Sequence, residues 1–315
     1  CIMPRPTSRL VNCYVPLARS DQTVAPKEEE PASKNPLDLR PLLLQNMASS
    51  SSTTSQGSCT YVELGQTKVL CQVQAPMTNL SNLPSHVISS MPTDRGILYC
   101  QAKYAPHMAL NVEAALTTVP VPLDATVGSS QQQQQQQSRT LSLATEHAEA
   151  ALARSLHAAL AAAVPLGEYP HAAIGIFVTV LQDDGGVVTA ATAAASLALA
   201  QAHVPLLDLV TSVQVGILRT NHNDNHDAES EFALVVDPTL NELQDTVATL
   251  TMAWMPNRKM VTLWEQQNSG MTVPPAAVTT QALQTNRQVC TKLILPQLRH
   301  ALLQQVVAPT QQEQQ

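Results

Sequence analysis

Apolar positions recur along this chain with two different periods, and the switch between them divides it into strands and helices. Three leucines stand at 42–44. Val69, Cys71 and Val73 alternate with polar neighbours, and Gly65-Gln66 separates two β-rich runs, so 59–73 predicts a hairpin. Positions 96–104 (GILYCQAKY) predict a third strand of the same sheet. From 141 to 163 the period changes. Ala148, Ala151, Leu152, Ser155, Leu156, Ala159 and Leu160 fall at the i, i+3, i+4 spacing of a helix, which Gly167 and Pro170 end. Both parities are apolar over 173–181, the mark of a strand covered on both faces. An alanine-rich helix is predicted over 188–203 and is broken by Pro205. Strands follow at 209–218 and 231–236, joined by a polar loop at 221–229. A hairpin is predicted around Pro256-Asn257-Arg258-Lys259, and 274–305 reads as a final helical region bent or broken at Pro296. This order predicts an α+β fold, helices packed on antiparallel or mixed sheets.

Polar, low-complexity stretches bound and interrupt this pattern. Residues 1–34 are rich in Pro, Ser and charge and read as a flexible tail, 307–315 as a second one, and 35–306 as one domain. Residues 47–57 (MASSSSTTSQG) and 81–93 are read as loops. The seven glutamines from Gln131 to Gln137 place a surface loop at 128–138.

Composition narrows the function classes. Only 13% of the 315 residues are charged while 44% are hydrophobic, which suits a protein partly covered by partners. Aromatics are 3%, so the core must be aliphatic. A net charge of −7 argues against autonomous nucleic-acid binding, which needs a basic face. Cys1, Cys13, Cys59, Cys71, Cys100 and Cys290 are scattered without a CxxC pair, the pattern of reduced thiols rather than a disulfide framework. No membrane-spanning run and no secretory signal is legible, although the chain opens on Cys1 rather than Met and leaves a preceding segment open.

The densest chemical signal lies at 181–210 (LQDDGGVVTAATAAASLALAQAHVPLLDLV). A buried strand ends in Asp183-Asp184-Gly185-Gly186, and a small-residue helix follows at once. Such a junction aims free N–H groups and a positive helix end at whatever lies beside it, which makes an anion pocket. The segment closely resembles the core motif of the RNase PH family, the phosphate-dependent 3′→5′ exoribonucleases and their exosome relatives. Three further motifs carry the resemblance from about 39 to 303: the 57–71 hairpin (GSCTYVELGQTKVLC), Tyr104-Ala105-Pro106, and Val235-Val236-Asp237-Pro238-Thr239 with Leu250-Thr251-Met252-Ala253 after it.

The resemblance implies an RNase PH-like fold and a phosphate site at Asp184, Gly185, Gly186, Val187 and Val188. In active members a Thr-Arg pair follows the glycines and holds the attacking phosphate; here Val187 and Val188 take those places. Valine donates no hydrogen bond, so the clamp is degenerate. Active members also carry two acids six apart. Asp237 matches the first and Leu243 the second, with Glu242 and Asp245 nearby but out of register. The resemblance further implies a structural exosome ring subunit. It would assemble with other RNase PH-like subunits in a hexameric ring, with RNA-binding cap proteins, a separate nuclease and RNA in the shared channel, in nucleus and cytoplasm. No cofactor, metal or membrane contact is expected. Arg95, Lys103 and Arg139 are candidates for RNA contact along the pore. Two alternatives stand beside this reading: an active phosphorolytic exoribonuclease with a displaced acid, and an adaptor that recruits partners through its tail and glutamine tract.

Other clusters carry less. His222, Asp224, His226 and Asp227 have metal-like spacing in an Asn-rich segment that reads as a solvated turn. Asp183 and Asp184 point to opposite sides at a strand end, so Asp184 is expected to cap the helix or fix the turn. His147 and His157 read as ordinary helix histidines, and Ser155 and Ser196 have no base at recognisable spacing.

Overall fold

The structure is a computed structural model that describes residues 38–47, 57–77, 83–89, 91–106, 130–219, 232–269 and 273–312, with backbone alone at 86, 130–143 and 305–312. Among the described residues nine strands form two sheets. The first has the order β1 (Leu42–Met47), β2 (Gly57–Leu64), β3 (Thr67–Met77), β5 (Ala173–Gln182), β4 (Ile97–Tyr104). Its pairings are antiparallel except for β4 on β5, which is parallel. The second is antiparallel throughout, in the order β7 (Phe232–Val236), β6 (Thr211–Arg219), β8 (Thr246–Met255), β9 (Met260–Asn268). The α+β class expected from the pattern is the class observed.

The hairpin of β2 and β3 turns at Gly65, whose φ of +60° suits a residue without a Cβ. Val69, Cys71 and Val73 are wholly buried, as their alternation requires. Strand β5 lies between β3 and β4, and Ile174, Ile176 and Val180 are fully covered. A helix of one turn, α1 (Ser85–Ser89), stands within the expected 81–93 loop.

Helix α2 runs Ser130–Ala161 and packs on β4. The glutamine tract is therefore not a loop: its backbone forms the first turns of α2. Glutamine is a good helix former, and no Gly or Pro interrupts the chain from Ser130 to Ala161, so helix propagates through it at little cost. Residues 48–56, within the other expected loop, lie outside the described residues, as do 1–34 and the 221–229 connection.

Helix α3 (Val187–Gln201) lies between the two sheets, and all but three of its residues are buried. Its alanines let both sheets approach its backbone. From the first sheet, Ser58 Oγ donates to the Ala198 carbonyl at 2.5 Å and Thr60 Oγ1 to that of Ala194 at 2.9 Å. From the second, Ser212 Oγ donates to the Val188 carbonyl at 3.3 Å, and the Val210 N–H donates to Ser196 Oγ at 3.1 Å. Larger side chains would hold the layers apart and leave these hydroxyls unpaired. One aliphatic core fills the space between the first sheet, α2 and α3; a second fills that between α3, the second sheet and the C-terminal helices.

The six-residue helix α4 (Leu240–Asp245) precedes β8. The C-terminal region is α5 (Ala276–Val289), a π turn (Cys290–Ile294) and α6 (Leu295–Gln312). The expected bend is this π turn. Pro296 has no N–H and its ring would press on the carbonyl of the preceding turn, which the wider i→i+5 spiral relieves. Helical backbone continues to Gln312, past the tail boundary expected at 306.

Candidate functional site

The predicted pocket lies where β5 meets α3, and the fold sets two other turns against it. Gly185 and Gly186 have φ of +89° and +68°, and Gly186 is the left-handed N-cap of α3. Neither position has room for a side chain: a Cβ would stand 2.5 Å from the Pro238 carbonyl oxygen at Gly185 and 2.5 Å from Asp237 Oδ1 at Gly186. The glycines thus serve a close approach between the β5–α3 and β7–α4 junctions.

Arg40, two residues before β1, joins them. Its Nε and Nη2 donate to Asp237 Oδ2 and Oδ1, both at 2.7 Å, in a bidentate fork. Nη1 donates to the Asp184 carbonyl at 2.9 Å and its carboxylate at 3.2 Å, and Nη2 also donates to the Gly185 carbonyl at 3.0 Å. The Arg40 side chain is 7% exposed and that of Asp237 is 0%. Burial acts to lower the Arg40 pKa, but the hydrogen bonds and charge of Asp237 outweigh it and the net shift is upward. The β2–β3 hairpin completes the knot: Thr67 Oγ1 donates to the Gly185 carbonyl at 2.6 Å and accepts from the Asp184 N–H at 3.0 Å.

Each expected site residue has a definite place here. Asp237 is near the turn, as the motif requires, but its carboxylate is fully engaged by Arg40. Leu243 and Glu242 are on α4. Glu242 accepts from the Thr239 N–H at 2.8 Å, and its own N–H donates to Thr239 Oγ1, forming a capping box. Asp245 is exposed at the end of that helix. Val187 is buried and Val188 half-buried at the start of α3. Asp184 does not cap the helix: its carboxylate meets Arg40, and the N-cap of α3 is Gly186, which has no side chain. Asp183 fixes the turn, accepting from the Gly185 N–H at 2.9 Å. Burial raises the Asp183 pKa.

The three RNA-contact candidates do not converge. Arg95 is exposed in the bend two residues before β4, and Lys103 is exposed near the other end of that strand. Arg139 is on the backbone of α2, and its side chain lies outside the described residues. So do His222, Asp224, His226 and Asp227; among the described residues no group of three metal-ligating side chains comes together. His147 and His157 are exposed on α2. Ser155 Oγ donates to Glu265 Oε1 at 2.6 Å, linking α2 to β9, and Ser196 serves the layer contact described above.

Sequence reading missed Arg40, Thr67 and Asp208. Asp208, buried behind the β8–β9 hairpin, accepts from the N–H groups of Asn257 (2.7 Å) and Arg258 (3.1 Å) and from Asn257 Nδ2 (2.9 Å). Asp208, a lone acid in the apolar run 206–210, was the one of the three with a local signal; Thr67 stands between Gln66 and Lys68, and the partners of Arg40 are remote in sequence.

Comparison with known proteins bears on the same residues. The model of the RNase PH family, described as the 3′ exoribonuclease family, domain 1, matches residues 38–205. The exosome complex component MTR3 of Homo sapiens is 30% identical over 237 residues, which cover 74% of this chain and 72% of that protein. MTR3 of Mus musculus is 31% identical with the same coverage. The exosome complex component Rrp41 of Cenarchaeum symbiosum is 27% identical over 64% of this chain and 65% of its own length. Among solved structures, rice Rrp46 superposes with a TM-score of 0.57 over 85% of this chain and 97% of that one; at 15% identity it speaks for the fold alone. With β5, the two-glycine turn and α3 all inside the matched segment, the chain belongs to the 3′ exoribonuclease family of RNase PH.

Proposed function

We propose that this chain is a non-catalytic structural subunit of the exosome core ring and helps form the central channel for 3′→5′ RNA processing and degradation. The observation that carries this reading is the buried pairing of Arg40 with Asp237. The one acid that matches the family motif is wholly buried, and both of its oxygens accept from a guanidinium that ties it to the fold. The turn residues Val187 and Val188 offer no cation to a phosphate, and a desolvated dianion beside two valines is costly. Site chemistry, not fold, decides activity.

As a ring subunit the chain has RNase PH-like neighbours, contacts with RNA-binding cap proteins and a separate nuclease, and RNA in the shared channel, and it works in nucleus and cytoplasm. Its domain begins at 35 and runs through α6. The MTR3 likeness supports the assembly, since those relatives are named as exosome components. The degenerate phosphate site comprises Asp184, Gly185, Gly186, Val187 and Val188, the degenerate acid site Asp237, and the basic residues offered to RNA are Arg95, Lys103 and Arg139.

Two measurements test it. Purified chain, alone and with its co-purifying partners, is incubated with RNA and inorganic phosphate. No nucleoside diphosphate release attributable to this chain is expected, and phosphate-dependent release that Asp237→Asn abolishes overturns the reading. Affinity purification from native extract should recover other RNase PH-like chains in stoichiometric amounts; a stable monomer that recovers none excludes the ring.

A further inference from the structure

The acidity of the whole chain hides a basic segment. Between residues 246 and 312 stand five Lys or Arg (Arg258, Lys259, Arg287, Lys292, Arg299) and a single acid, Glu265. That carboxylate accepts from Ser155 of α2. The fold gathers three of the five cations around one open cavity of about 500 Å³, between the β8–β9 hairpin and α5 with its π turn. Trp254 and Lys259 line it from the hairpin. Gln284, Arg287, Gln288 and Lys292 line it from the helix, at the i, i+3, i+4, i+8 spacing of one face.

The construction is specific. Trp254 is 7% exposed, and the Arg287 guanidinium lies over its ring, 5.1 Å from the centroid. That stacking holds one cation in place without using a carboxylate. Lys259, Arg287 and Lys292 are exposed, and none pairs with a carboxylate among the described residues. Asp208 holds the hairpin from behind but spends its oxygens on the N–H groups of Asn257 and Arg258 and on the Asn257 amide. The cavity therefore has three unneutralised cations, two amide side chains and no acid.

We propose that this groove binds the phosphate backbone of single-stranded RNA, at a site separate from the β5–α3 turn and from the loops beside β4. Three cations along an open groove suit a chain of phosphates. The indole face is already covered by Arg287, so contact is to backbone rather than by base stacking, and is sequence-independent. An acidic protein segment would meet the same cations, and poly-glutamate stands for it in the test. The choice of RNA rests in part on the family's RNA chemistry, but not on the ring or on the loss of catalysis.

The test is fluorescence anisotropy of a labelled single-stranded oligouridylate with the full-length chain at several salt concentrations. Lys259→Gln/Arg287→Gln/Lys292→Gln should bind about tenfold or more weakly, with the slope of log affinity against log salt shallower by about 2, since each lost single-strand phosphate contact removes ~0.7. Lys259→Gln/Lys292→Gln leaves the Arg287–Trp254 stack intact and should lose a smaller share of both, so a folding defect of the triple variant does not decide the matter. Unchanged affinity and slope in the double variant overturn the proposal. So does poly-glutamate binding that responds to these substitutions when RNA binding does not, or saturation by inorganic phosphate without RNA binding. Recovery of ring partners, measured in parallel, separates this outcome from failure of the assembly reading: the triple variant should still assemble.

Discussion

Arg40 shows how one side chain can settle the character of a site. It satisfies two carboxylates and two carbonyls drawn from segments 144 to 197 residues away in sequence. Removing one partner of a buried pair strands the other charge, so Arg40→Ala should lower unfolding free energy by about 3–5 kcal/mol in denaturant titrations. Arg40→Ala/Asp237→Ala should cost less than the sum of the single changes, because the charge that each strands is then gone. Asp183 makes a separate prediction. Its folded-state pKa is raised by burial, so the native state holds its proton at pH values where the unfolded chain has released it. Stability from this group is therefore present at low pH and declines as pH rises through the raised value. Asp183→Asn keeps the Oδ1 that accepts from Gly185. It should raise the Tm at neutral pH, with the gain vanishing as pH falls into the ordinary carboxylate range. Asp183 stood out in the sequence because it ends a strand beside two glycines; Arg40 did not, because its partners are remote and no local spacing announces them.

At the scale of elements, α3 was legible for a reason that packing then explains. Its alanine content announced close contact, and the structure places a sheet on either side of it, with hydroxyls from both reaching its backbone carbonyls. Ala194→Leu should overpack this layer and cost about 1–3 kcal/mol, read as a loss of Tm and of soluble yield. Gly186→Ala would place its Cβ against Asp237 at positive φ and should be at least as damaging by the same measurement. Low complexity alone reads as a loop, and the glutamine tract departs from that expectation. Gln has good intrinsic helix propensity, and the helix nucleus supplied by 141–161 lets the tract extend it. The short helix α1 and the π turn escaped notice for a related reason: a single turn and a one-residue expansion leave no periodicity to read.

At the scale of the molecule, the two cores, among the described residues, are built from residues after 60, packed with partly buried leucines from 39 onward. With 1–34 read from its composition as a tail, a chain beginning at Asn35 should melt cooperatively within about 1 °C of the full chain by calorimetry, below the shift of about 2 °C that loss of 1 kcal/mol brings in a domain of this size. Charge, too, changes meaning at this scale. The net −7 argued against a basic face, yet the average concealed a local excess of cations that the hairpin and α5 bring to one groove.

What could be read from residue order alone was whatever depends on neighbours a few positions apart: strand and helix periods, the turn glycines, the family motifs, and the valines standing where a phosphate clamp would be. What awaited the folded chain was every relation across the sheets: the Arg40–Asp237 pair, the hold of Asp208 on its hairpin, the joining of Lys259 with Arg287 and Lys292. The division is physical. Secondary structure and turns follow from short-range sterics and the alternation of burial, whereas charge compensation in a core depends on which distant segments the packed layers bring within hydrogen-bonding distance.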